Sequence, residues 1–182
     1  EKIRKIAAYA PNMEIMNNIY PSIADCRTGT KAPDEILWYC SRNLGLGLEK
    51  YDTLSVKGSP GNLVSGLMYA SPNSASRSKA SANNTQSASG IRLDFNEGGV
   101  LFVRPLKDTD CNIAVALKGG NNNEHHNHND VGSYSIVVGD EMLMGDPGGP
   151  FVYRSNTFGS ERYTAYKNLA SYGHPVPLVA GE

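Results

Sequence analysis

Cysteine is too scarce in this chain to build a disulfide framework. Cys26, Cys40 and Cys111 are far apart, form no CxxC pair, and by their odd number leave at least one thiol free. They read as inert, partly buried thiols, with a Cys26 to Cys40 bridge as the one alternative. Excess charge is lacking too: 17 Lys and Arg stand against 18 Asp and Glu, which excludes a bulk field drawing the chain onto nucleic acid or an anionic membrane. An acidic substrate would have to be met by a local cluster. No apolar run approaches the roughly 20 residues that span a bilayer, so no membrane insertion is expected. The 182 residues suffice for one main domain. They begin on Glu1 within a helical pattern, as an excised piece of a longer chain would.

What is present divides near residue 50. Ile3, Ile6 and Ala7 recur at helical spacing and predict a helix over Lys2 to Tyr9 that stops before Pro11. A second helix is marked by Thr30 as cap, Pro33, Asp34 and Glu35 in its first turn, Ile36, Leu37, Tyr39 and Cys40 as its face, and Gly45 as its stop. Trp38 reads as a core residue of that helix. From about Tyr51 short alternating or apolar runs separated by Gly, Asn, Asp and Pro predict antiparallel strands. These are Ile91 to Phe95, Val100 to Arg104, Asn112 to Lys118, Ser133 to Val138 and Glu141 to Met144, with turns at Glu97-Gly98-Gly99 and Gly139-Asp140. Ser71 to Ser89 has almost no large apolar residue and reads as a surface excursion or a flap over a groove.

All four histidines fall in two places, NNNEHHNHNDVGSYS and ASYGHPVP. Read as a strand, the first puts His126, His128 and Asp130 on one face and turns Asn127 and Asn129 away. Two imidazoles and a carboxylate without thiolate form a mixed set compatible with zinc, and His128, Asp146 and His174 make such a set if a hairpin and a late loop bring them together.

The run GGNNNEHHNHNDVGSYSIVVGDEMLMGDPGG, then Tyr153, then ERYTAYKNLASYGHPVPLVAGE, resembles the H-x-H-x-D-x-G-S-[FY] segment, the downstream Asp and the late His of the bacterial heparinase II/III-like polysaccharide lyases. SGIRLDFNEGGVLFVRP and IYPSIADCRTGT also sit where that family has a strand hairpin and the exit from its helical toroid. The resemblance covers most of the chain and is strongest over residues 119–182. It implies a mainly β fold, with residues 1–50 as the helical remnant of an α/α toroid and 51–182 as an antiparallel β-sandwich. It implies β-elimination on a heparin-like, heparan-sulfate-like or alginate-like uronic-acid polysaccharide, with His126 in the active site and Zn2+ held by His128, Asp146 and His174. Tyr153, Arg154, Arg162 and Tyr163 then follow as residues that meet the acidic sugar. The family's toroid Asn, His and Tyr have no counterpart here, so the helical domain of the same chain is an expected partner and the fragment alone is expected not to cleave. A periplasmic or secreted location is implied as well.

Two other classes compete. A cupin-type metal enzyme matches from Gly120 through His126 to His128, but Gly132 and Ser133 stand where its Glu is due. A non-catalytic carbohydrate-binding or zinc-stabilised module would use the same histidines without turnover.

Overall fold

A computed structural model describes residues 2–33, 36–37, 40, 44–46, 92–95, 99–106 and 108–179. These fall into two compact units, residues 1–12 with 31–88, and residues 13–30 with 89–182.

In the first unit helix α1 spans Lys2–Asn12. It runs through Pro11 instead of stopping before it. A proline near the last turn removes only one ladder hydrogen bond, and Pro11 is buried here, which favours its retention. Of the second expected helix, Ile36, Leu37, Cys40 and Leu44 are helical and Gly45 follows with φ +60. Thr30 and Pro33 precede it as irregular chain. Leu37 and Leu46 are buried, and the Arg4 guanidinium donates to the Gly45 carbonyl at 2.8 Å. Asp34, Glu35, Trp38, Tyr39 and the Ser71 to Ser89 segment lie outside the described residues. No helix among the described residues is long and apolar enough to cross a membrane.

The second unit is mainly β. Strands β1 (Arg92–Phe95), β2 (Val100–Val103), β3 (Ile113–Lys118), β4 (Tyr134–Val138) and β5 (Glu141–Met144) form one antiparallel meander in sequence order. Each lies within one residue or so of its expected run. Gly139-Asp140 closes β4 on β5 as a two-residue hairpin, Val138 opposite Glu141, with Gly139 at φ +58 as such a turn requires of its first central residue.

Alternation decides which face is buried. Val100 and Phe102 of β2, Ala114, Ala116 and Lys118 of β3, and Ser135 and Val137 of β4 point to one side, and the register sets Phe102 opposite Ala116 and Ala116 opposite Ser135. Ile15, fully buried, caps this face, with Met13, Met16, Ile19, Ile23 and Met142 packed around it. The Arg104 guanidinium, just beyond β2, ties the same segment down by donating through Nε to the Glu14 and Ile15 carbonyls at 2.9 and 3.0 Å. The chain over residues 13–30 therefore lies across the sheet. That position brings it to the site described next.

The three cysteines are free, and Cys111 is exposed where a partly buried thiol was expected.

Candidate functional site

Strands β3 and β4 are not joined by a tight turn. The Lys118 amide donates to Ser133 at 2.8 Å and the Gly132 amide to Lys118 at 2.7 Å, which closes residues 119–132 into a loop at the sheet's end. That loop carries the histidines. The strand expected for HNHND is not formed: His126 has φ +57, and Asn127, His128 and Asp130 are all completely buried. Burial of adjacent positions 127 and 128 cannot come from a period of two, so the same-face relation of His126, His128 and Asp130 is corrected.

Asp130 serves the fold. Its Oδ1 takes a 2.7 Å ion pair from Lys118 Nζ, both side chains buried, and its Oδ2 accepts the Ala24 amide at 2.8 Å. A charged residue on the inward face of β3 is thus neutralised from the loop above it, and the 13–30 segment is pinned by the same carboxylate.

His128, Asp146 and His174 meet in the interior. Asp146 follows β5 and fixes its own turn by accepting the Gly148 amide at 2.8 Å. Its two oxygens lie 2.9 and 2.8 Å from His174 Nδ1. The His128 and His174 rings stand with centroids 5.1 Å apart. His174 Nε2 and His128 Nδ1 are buried and have no hydrogen-bond partner, while His128 Nε2 has only a long 3.4 Å contact with the Tyr153 hydroxyl. Burial, with the neighbouring His174 ring second, pulls the His128 imidazole down to about 4, so it is neutral at physiological pH. Buried imidazole nitrogens without partners are unusual in a folded interior, and a neutral ring offers a lone pair on one of its two nitrogens. Two imidazoles and a carboxylate are the residue types a mixed zinc site uses. As they stand, Asp146 and His174 pair directly with His128 beside them, and no group of three His, Cys, Asp or Glu among the described residues is drawn into a metal-holding cluster.

His126 stands apart from that interior, its side chain 66% exposed. Its Nδ1 lies 2.9 Å from Asp25 Oδ2, and its ring meets Phe158 with centroids 5.0 Å apart. Tyr153 also packs against Phe158, again with centroids 5.0 Å apart. Burial first and Asp25 second push the Tyr153 phenol up to about 12, with Arg27 working against them. Tyr163 accepts a 2.9 Å bond from Asn127 Nδ2, and Arg162 stacks on its ring at 4.5 Å. Arg154 is exposed. Tyr153 and Tyr163 are thus tied to the histidine loop.

The sequence reading passed over Asp25, Phe158 and Arg27. The Arg27 guanidinium donates to the Phe151 carbonyl at 2.8 Å and lies 5.5 Å over its ring, which is 83% exposed. Asp25 sits in the IYPSIADCRTGT stretch, more than a hundred residues before the histidines' late partners, and no local pattern marks it. Arg27 bridges to Gly148 across the site's rim. No family model matches the chain, and no curated protein matches it.

Proposed function

We propose that this chain is the β-sheet part of a heparinase II/III-like polysaccharide lyase, cleaving a uronic-acid polysaccharide by β-elimination. The observation that carries the reading is the division of one loop into two environments: His128 buried beside Asp146 and His174, and His126 two residues away facing solvent. A lyase of this kind needs both, a group that keeps the loop's shape and an accessible base.

In the elimination, the proton on C5 of the uronate leaves, a C4–C5 double bond forms, the bond from C4 to the glycosidic oxygen breaks, and that oxygen gains a proton. His126 takes or shares the C5 proton and stands where it can meet the sugar carboxylate. Arg154, Arg162, Tyr153 and Tyr163 supply charge and hydroxyls around the acidic ring, since guanidinium groups pair well with carboxylates. Zn2+, held by His128, Asp146 and His174, would supply a fixed positive charge that holds the loop to the strand-end turn. Elimination needs no hydrolytic nucleophile, which is why that role is structural. A second sheet over the half-exposed face carrying Ile113 and Leu117 would make the sandwich, and an α/α toroid would bring the remaining acid-base groups. A periplasmic or secreted setting belongs to the same reading.

The test separates the two histidines in the chain joined to its helical domain. Wild-type protein should bind about one zinc and release unsaturated uronate, read by its ultraviolet absorbance. His126→Ala should keep zinc and fold while turnover falls about 100-fold or more. His128→Ala should lose zinc, stability and turnover together. Equal zinc loss in both variants, or no elimination by the wild type on any uronate polymer, would overturn the proposal.

A further inference from the structure

Two non-glycine residues near the site hold the left-handed backbone, Ala24 at φ +54 and His126 at φ +57. Such a conformation costs an L-residue on the order of 1 kcal/mol and persists only where the surroundings fix it. What fixes them is visible on both sides of Asp25. The Ala24 amide is held by the buried Asp130 carboxylate, and the Cys26 carbonyl accepts the Gly149 amide at 3.0 Å. Arg27 bridges to Gly148, and there is no room to loosen this seam: a Cβ on Gly148 would lie 2.1 Å from the Cys26 carbonyl oxygen, and one on Gly149 2.3 Å from that of Asp25. The Asp25 backbone is thus clamped before and after, and its side chain is delivered to His126 Nδ1 at 2.9 Å. The same ring meets Phe158 in a tilted contact.

An ionised carboxylate can only accept a hydrogen bond, so the nitrogen facing Asp25 must carry the proton. Nε2 is then the lone-pair nitrogen of the neutral ring, and it has no partner among the described residues. A free neutral imidazole favours the opposite arrangement, with its proton on Nε2. Without a partner, His126 would present a donor where elimination needs an acceptor.

We propose that Asp25 is the positioning residue of this site, fixing His126 as its Nδ1–H tautomer with Nε2 turned outward as the base. The assignment of the base rests on the lyase reading; the Asp25–His126 geometry does not. Asp25 acts through His126 and need not touch substrate.

Nitrogen-15 NMR of histidine-labelled protein, at a pH where the ring is neutral, reads the tautomer whether or not the chain is active. Wild type should show His126, assigned by the signal lost in His126→Asn, protonated at Nδ1. Asp25→Ala should move the proton to Nε2, whereas Asp25→Asn, whose amide oxygen still accepts, should restore Nδ1–H, with the other three histidines unchanged in both. In the chain with its helical domain, Asp25→Ala should lower kcat about 10- to 100-fold with KM nearly unchanged, and Asp25→Asn should recover part of the loss. An Nε2–H wild type, an Asp25→Ala protein that keeps Nδ1–H, or unchanged kcat in an active enzyme would overturn the proposal. A wild type without elimination but with the expected tautomer switch would remove the lyase reading and leave Asp25 as the partner that sets the His126 ring.

Discussion

Replacing Asp130 by Ala should be among the most damaging single changes in the second unit, because this carboxylate has two buried dependants. Lys118 Nζ, on a side chain only 4% exposed, would lose its 2.7 Å partner. Breaking one side of such a pair costs about 3–5 kcal/mol. The Ala24 amide would lose its 2.8 Å acceptor, a further cost of about 1–3 kcal/mol that overlaps the first, because water entering the space serves both groups. A total near 4 kcal/mol should lower the unfolding midpoint by about 10 °C or more in a chain of this size. The double variant Lys118→Met, Asp130→Asn removes the stranded charge, fills the stem's volume and returns an acceptor to Ala24, so its loss should stay below about 2 kcal/mol. Far-UV circular dichroism during heating, with urea titration for the free energies, measures both. A midpoint drop below about 3 °C in Asp130→Ala, or a double variant as unstable as the single one, would refute the account of Asp130 as a structural counter-ion.

Two further outcomes follow from the same geometry. In chelator-treated protein the His128 imidazole titrates near 4 folded and at 6.5 unfolded, so between those values the unfolded chain binds a proton that the folded one does not. Stability should therefore fall as pH drops from 6.5 to 4, by at most about 3 kcal/mol, and urea titrations of His128→Phe should show a flatter profile over that window. Gly148→Ala combines a φ of +67 with a Cβ overlapping the Cys26 carbonyl, and should cost about 2–4 kcal/mol, whereas Gly139→Ala, at φ +58 with open space, should cost only about 1 kcal/mol. Equal midpoints for the two glycine variants would show that the seam between residues 22–27 and 146–149 is not tight.

Much of the sheet was legible in the chain itself. Alternation with a period of two, broken by Gly, Asn and Asp, is a local property, so runs such as Asn112 to Lys118 and Glu141 to Met144 could be placed to within a residue, and Gly139-Asp140 declared its own hairpin. His128, Asp146 and His174 were singled out by residue type, and the Gly-Asp-Pro-Gly-Gly turn after β5 marks where the chain reverses to bring Asp146 beside the other two. The histidine loop was not legible in the same way. Its alternating letters look like a strand, yet closure between Lys118 and Ser133 removes it from the sheet, and a left-handed His126 then sends neighbouring residues to opposite environments.

Other features depend on pairings across long stretches of sequence. Lys118 continues an inward-facing row by periodicity alone, and only the folded loop supplies Asp130 to neutralise it. Pro11 looks like a helix stop, yet it lies buried within the last turn of α1. The residue types that can bind a metal or move a proton were therefore set by the sequence. Which imidazole is dry and which is wet, and that Asp25 from a distant segment reaches His126, were decided by tertiary structure, since burial and hydrogen-bond partnership belong to the packed chain and not to any local run of it.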